Sequence, residues 1–201
     1  MPPHTLIAGL GNPGPKYARN RHNYGFFAAE ALLESGSSRS QSMGKEGELH
    51  ILNLPGVAGE ILVLKPMAFM NLSGRAVAQV LRFYKIPPES LIVLHDELDI
   101  PLGRLKIKQG GGTAGHNGLK SIVADTGEQS FVRLRLGIGR PSGPMEVASY
   151  VLQDFRPEER EVVQKVLPAA VAAVRLYLTH GLEVAMREAN GFNAAPPTVS
   201  G

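Results

Sequence analysis

The 201-residue sequence predicts a single α/β domain, a mixed twisted β-sheet with helices on both faces. Three observations predict it. Short apolar runs alternate along the chain with stretches of helical period. One run, Leu91-Ile92-Val93-Leu94, is apolar at every position, as the centre of a parallel sheet requires. No internal repeat or linker divides the chain, so the domain is expected over residues 1–192, followed by a flexible tail at 193–201.

Leu6-Ile7-Ala8-Gly9-Leu10 reads as a buried strand that enters a glycine-proline loop. Asn23 to about Glu34 reads as a helix with Asn23 as its N-cap. Ser35 to Gly47 is polar and reads as a loop. Glu48–Leu52 and Gly59–Leu64 read as strands joined by a turn at Asn53-Leu54-Pro55-Gly56. Ser73–Lys85 places Ala76, Val77, Val80, Leu81 and Tyr84 on one helical face, and Pro87-Pro88 ends it. Leu105–Lys108 alternates and reads as a strand with one wet face. Leu119–Ala124 is a short helix. Phe131–Ile138 alternates Val132, Leu134 and Leu136 with Arg133 and Arg135, a second half-exposed strand. Pro157 to about His180 is the longest helix, and Leu182–Ala189 is another.

Composition narrows the chemistry. The 43% hydrophobic fraction supplies a core and excludes wholesale disorder. There is no cysteine, which removes disulfides, zinc–thiolate sites and thiol nucleophiles together. No apolar run approaches the roughly 20 residues of a membrane span. The start, Met1-Pro2-Pro3-His4, lacks the pattern of a secretory signal, so a cytoplasmic protein is expected. The net charge of +3 conceals an uneven distribution. Residues 1–22 carry +3 and residues 101–143 carry +5, while the other two stretches are slightly acidic. The two basic stretches also hold the two glycine-rich loops, which points to a phosphate-bearing partner.

In open α/β sheets a ligand sits beyond the carboxyl ends of the strands. Loops 9–23, 65–73, 95–103 and 109–118 qualify, and all are rich in Asn, His, Asp and Gly. Gly9-Leu10-Gly11-Asn12-Pro13-Gly14 matches the dinucleotide fingerprint in letters only. That mechanism needs a helix to start inside the motif, and Pro13, Gly14 and Pro15 prevent one. The alternative is a rigid turn that presents the Asn12 amide, or a turn asparagine held for its backbone. His22 stands just before a helix and is either a general base near neutral pH or an ordinary loop histidine. Asp96, in His95-Asp96-Glu97-Leu98-Asp99, could orient such a base. The rival is a divalent-metal cluster of Asp96, Glu97 and Asp99, the weaker reading because alternate acids diverge in extended chain. Asn71 could serve the site, or Asn71 or Ser73 could merely cap the following helix. The loop from Gly110 to Gly118 permits close backbone approach to a ligand but lacks the Gly-Lys-Ser/Thr ending of a P-loop. No G-x-S-x-G elbow is present, so any hydrolysis would most simply use a histidine-activated water.

Six ordered segments carry a specific resemblance: GLGNPG at 9–14, RHNYG at 21–25, FMNLSG at 69–74, HDELD at 95–99, GGGTAGHNGLKS at 110–121 and FVRLRLGIGRP at 131–141. Together they resemble the bacterial peptidyl-tRNA hydrolase family. The resemblance implies a monomeric α/β protein that hydrolyses the ester between a peptide and the terminal ribose of tRNA, with no metal or organic cofactor. It also implies the roles of single residues. His22 would be the base and Asp96 its orienting partner. Asn12 and Asn71 would hold the peptide and the attacked carbonyl. Met70 would line the cleft and Tyr17 lie at its edge. His116 and Asn117 would contact substrate, with Asn117 near the water. Lys108 and Arg135 would grip tRNA phosphate. Ala114 departs from the pattern, standing where glycine is frequent.

Overall fold

The computed structural model describes residues 5–194. Among them are seven strands, β1 (Leu6–Gly9), β2 (Ser37–Gln41), β3 (Gly47–Asn53), β4 (Ile61–Pro66), β5 (Leu91–Glu97), β6 (Leu105–Gln109) and β7 (Val132–Gly137). The helices are α1 (Tyr24–Glu34), α2 (Ser73–Tyr84), α3 (Asn117–Thr126), α4 (Val147–Val151), α5 (Pro157–His180) and α6 (Leu182–Gly191). The strands form one sheet in the order β2-β3-β4-β1-β5-β7-β6. Its four central strands, β4, β1, β5 and β7, run parallel, and antiparallel strands border them on each side. β1 and β5 are buried at every position, which is why β1 and the Leu91–Leu94 part of β5 read as apolar runs.

One face of the sheet packs against α1, α5 and α6 through Ile7, Ile92, Leu94, Leu134, Val166 and Ala185. The other packs against α2 and α3 through Leu6, Ala8, Val93, Val77 and Ile122. Gly25 sets how closely α1 meets the sheet. A Cβ there would lie 2.2 Å from the Leu94 carbonyl oxygen and 2.5 Å from the Leu10 nitrogen. α5 is long and apolar enough by length and composition to cross a membrane. Its buried stripe, Val163, Val166, Ala170, Ala173 and Val174, is used in the core.

The structure departs from the sequence reading in several places. Ser37–Gln41, inside the expected polar loop, is an exposed edge strand paired with β3. Polar residues there give no alternation of buried and exposed positions to read. α4, five residues long, was not foreseen. β5 continues through His95, Asp96 and Glu97, so these lie in a strand rather than a loop. Arg133, expected on a wet face, is only 2% exposed. Asn23 stands at the N-cap of α1, but its side chain caps nothing. The fold also continues past residue 192: Asn193 bridges to Arg104 and the Ala194 nitrogen donates to the Gly103 oxygen. The remainder of the expected tail, 195–201, lies outside the described residues.

Candidate active site

The carboxyl ends of β1 and β5 lie side by side, and the loops beyond them meet the turn before α1. Asn20–Asn23 is held there from several directions. The Arg21 nitrogen donates to the Gln153 oxygen, and the buried Arg21 guanidinium pairs with Glu159 at 2.7 Å while lying over the Tyr150 ring. Glu159 also accepts from the Arg156 nitrogen at the start of α5. Asn23 is locked to Asn12 by two hydrogen bonds: the Asn12 nitrogen donates to Asn23 Oδ1, and Asn23 Nδ2 donates to the Asn12 oxygen. That pairing replaces the expected cap. Asn12 Oδ1 in turn accepts from the Met70 nitrogen at 2.7 Å, which fixes the 65–73 loop and leaves the Asn12 amide nitrogen as a donor. No α-helix begins within 9–14; the segment ends in turns that lead to a 3-10 turn at Arg21–Asn23, so the helix N-terminus that a dinucleotide phosphate needs is missing.

Asp96 is buried and is shared by two histidines. His22 Nδ1 lies 3.0 Å from both carboxylate oxygens, and His116 Nε2 lies 2.9 Å from Oδ1. His116 also caps α3, its Nδ1 accepting from the nitrogens of Gly118 and Leu119. A nitrogen that accepts carries no proton, so the His116 proton is on Nε2 and is given to Asp96. Both His116 nitrogens are thereby occupied. His95 is withdrawn in a different way: Nδ1 lies on the Asp96 carbonyl oxygen, and Nε2, though without a partner, is sealed in the interior. His22 differs. Its Nδ1 proton goes to Asp96, while Nε2 has no protein partner among the described residues and is not sealed from solvent. Of the three histidines around Asp96, His22 alone offers a free basic nitrogen.

The electrostatics agree. Burial pulls the His22 imidazolium down, and the charge and hydrogen bond of Asp96 outweigh it, so its pKa lies above the ordinary 6.5. Burial alone would raise the Asp96 carboxyl; the two histidines overcome it and hold the group well below the usual carboxylate range. His95 is pushed down to about 3, first by burial and then by His116 and Arg133, and stays neutral.

His22, Asp96 and His116 bring three possible ligand atoms within 4.8 Å of one another. The donor set does not fit a divalent ion, because the two N–H groups of α3 claim the His116 Nδ1 lone pair and force the proton onto Nε2. The rival acidic cluster also separates: Glu97 pairs with Arg135 at 2.9 Å and Asp99 with Arg140 at 2.7 Å.

His22, Asp96, His116 and Asn117 line one cavity of about 370 Å³, together with Leu98 and Val151. Asn12 lines a separate depression of about 240 Å³ with Asn23 and Phe26. Met70 is buried, and its sulfur packs on Gly118, where an added Cβ would lie 2.7 Å from it. Asn71 and Asn117 are exposed. Tyr17 is half-buried, edge-on to Phe69 at 6.2 Å. Lys108 and Arg135 stand on the sheet and do not line the cavity, although Arg135 pairs with Glu97, which does. Strand register puts Lys106, Lys108, Arg133 and Arg135 on the face that carries Val93. Lys106 is exposed there and Lys108 and Arg135 are partly exposed, whereas Arg133 is buried. Burial, then Arg135 and Arg133, lower the Lys108 pKa. Sequence reasoning missed Arg21, Asn23, His95 and Arg133 as parts of this assembly, since each acts through burial or tertiary pairing.

Comparison with known proteins agrees with this geometry. The peptidyl-tRNA hydrolase family model matches residues 6–197. A peptidyl-tRNA hydrolase of Solidesulfovibrio magneticus is 51% identical over 203 residues, covering 96% of each chain. One from Thermus thermophilus is 46% identical, covering 94% of this chain and 97% of its own. The crystal structure of peptidyl-tRNA hydrolase from Acinetobacter baumannii superposes with a TM-score of 0.88 at 36% identity, over 97% of this chain and 98% of that one. With the match running from β1 beyond the last described residue, the chain belongs to the peptidyl-tRNA hydrolase family.

Proposed function

We propose that this protein hydrolyses the ester joining a peptide, or an N-blocked aminoacyl group, to the terminal ribose of tRNA. The observation that carries the reading is His22, with Nδ1 on a buried carboxylate and Nε2 free at the cavity, in a chain of this family. His22 Nε2 takes a proton from a water as the water oxygen bonds to the ester carbon. Asp96 holds the ring in the Nδ1–H tautomer and stabilises the imidazolium that forms. The same proton then passes to the ribose oxygen as the ester C–O bond breaks, giving free tRNA and a peptide carboxylic acid, which releases its remaining proton to solvent as the carboxylate. The reaction so drawn calls for no cofactor.

Asn12 donates its amide nitrogen to the attacked carbonyl, where negative charge develops. Asn71 holds the peptide backbone, Met70 lines the cleft and Tyr17 borders it. His116 and Asn117 flank the substrate, with Asn117 beside the water. Amides read a peptide backbone without reading its side chains, which suits a substrate of any sequence. Lys108 and Arg135 take tRNA phosphate; such contacts set position rather than sequence. The same reading makes the protein a cytoplasmic monomer, and sedimentation at the monomer mass checks the second half. The deciding experiment is hydrolysis of an N-blocked aminoacyl-tRNA by wild type and by His22→Ala. Turnover falling by about 10²–10⁴ in the variant is expected, the usual share of a general base. Tight tRNA binding by wild type with no turnover would replace hydrolysis by RNA binding alone.

A further inference from the structure

Arg133 is buried, yet among the described residues no carboxylate pairs with it. Its Nη groups donate to the carbonyl oxygens of Gly111 and Gly112, with a longer contact of 3.4 Å to the Gln129 oxygen. The guanidinium lies over the Phe131 ring at 4.7 Å. A buried cation whose hydrogen bonds all go to neutral carbonyls is uncommon, because a directly paired carboxylate compensates lost hydration better. The Gly111 and Gly112 carbonyls belong to the loop between β6 and α3, and that of Gln129 to the segment between α3 and β7. Gly110 and Gly111 have φ of 68° and 98°, so the loop turns its backbone oxygens inward onto the strand that carries Arg133. Four residues beyond Gly112 the chain reaches His116, followed by Asn117.

We propose that Arg133 is a positioning residue for the reaction: by clamping Gly111 and Gly112 to β7 it sets where the N-terminus of α3 brings His116 and Asn117 to Asp96. The inference rests on the hydrolase reading. It divides the basic surface by task. Arg133 is committed to protein carbonyls, whereas Lys108 has no carboxylate partner among the described residues and Arg135 meets Glu97 through Nε alone. Lys108 and Arg135 are thus available to phosphate, and Arg133 is not. Asp96 receives His116 Nε2–H only if α3 begins at the right place, so slack in the loop reaches the carboxylate that orients His22.

The test uses Arg133→Gln and Arg133→Lys on two substrates, an N-blocked aminoacyl-tRNA and the same ester on a short CCA-ending oligonucleotide without the tRNA body. With Arg133→Gln, kcat is expected to fall about 10- to 100-fold on both substrates, the scale of a misplacement near 1 Å. KM for the short ester should stay within about twofold, and the salt dependence of tRNA binding should not change. Arg133→Lys should recover part of the loss, since one ammonium reaches one carbonyl. Amide exchange should quicken at residues 110–118 and nowhere else. Wild-type kcat on the short ester, with weaker tRNA binding and a salt slope shallower by about 0.9, would make Arg133 a phosphate ligand and overturn the proposal. Exchange quickened across the whole sheet would overturn it in favour of general stability. Should Arg133→Gln fail to fold, Arg133→Lys decides on the same readouts. Absence of wild-type turnover, with local exchange still confined to 110–118 in the variants, would strike the hydrolase reading and leave the clamp standing.

Discussion

Replacing Asp96 by Asn probes the centre of the site, and the geometry fixes what the amide must do. Asp96 accepts from His116 Nε2 through Oδ1 at 2.9 Å and from His22 Nδ1 through Oδ2 at 3.0 Å. An asparagine has one accepting atom and one donating group. His116 cannot change its tautomer, because the Gly118 and Leu119 nitrogens donate to its Nδ1. The amide oxygen therefore turns to His116 and the amide nitrogen faces His22 Nδ1. His22 must then accept at Nδ1 and carry its proton on Nε2, the nitrogen proposed to take a proton from water. The base is lost although the ring stays in place. The comparable tautomer reversal in serine proteases costs about 10⁴ in kcat. We expect about 10³–10⁴ here, or about 4–5.5 kcal/mol of barrier. The residual activity should also move along the pH axis. In the wild type, kcat/KM rises as His22 loses its proton, with a midpoint above 6.5. Without the carboxylate only burial acts on the imidazolium, so the midpoint moves to lower pH. The assay is hydrolysis of N-blocked aminoacyl-tRNA from about pH 5 to 9, with thermal unfolding to confirm folding. A kcat within tenfold of wild type would refute the shared-carboxylate reasoning.

The remaining predictions are shorter. Lys108→Ala or Arg135→Ala should weaken tRNA binding and make log K against log[salt] shallower by about 0.9 each, while hydrolysis of the short CCA ester changes little; an unchanged slope removes the phosphate role. Gly25→Ala should destabilise by about 3 kcal/mol or more, because the added methyl meets the Leu94 and Leu10 backbone rather than a movable side chain; a denaturant midpoint near wild type contradicts that packing. Ala114 holds φ of 47°, so Ala114→Gly should relieve about 1 kcal/mol of left-handed strain, less what the glycine adds to the freedom of the unfolded chain; a clear loss of stability would argue against the strain. The His22 pKa is raised on folding, so its stabilising share is full below about 6.5 and is lost as pH rises through the folded value. The gap in melting temperature between wild type and Asp96→Asn should accordingly narrow from about pH 5.5 to about pH 8.5.

How much of this the sequence showed depends on the kind of interaction. β1 and the Leu91–Leu94 part of β5 were legible because a strand segment buried on both faces away from the site is apolar, and α2 because its stripe repeats at helical period. β2 was not, because an exposed edge strand gains its stability from ladder hydrogen bonds that any polar side chain permits. Among site residues, the chemistry of His22, Asp96 and the asparagines could be guessed from residue type next to strand ends. What distinguishes His22 from His95 and His116 could not. That distinction is made by which nitrogens other groups occupy, and the occupants are backbone atoms: the Gly118 and Leu119 nitrogens for one, the Asp96 oxygen for the other. Backbone atoms carry no residue identity, so no spacing in the sequence announces them.

Arg133 shows the same effect with charge. Alternation in Val132-Arg133-Leu134-Arg135-Leu136 assigns both arginines to one face, and that is correct. It does not say that one arginine is sealed under a glycine loop while its neighbour two residues on stays partly exposed and pairs with Glu97. Only the positive φ at Gly110 and Gly111, which turns carbonyl oxygens inward, separates them. A basic count over 101–143 therefore overstates the charge presented to a polyanion by at least this residue. The surface that can release counterions is smaller than the sequence suggests, and the salt dependence of tRNA binding should reflect Lys108 and Arg135 rather than every cation on the face.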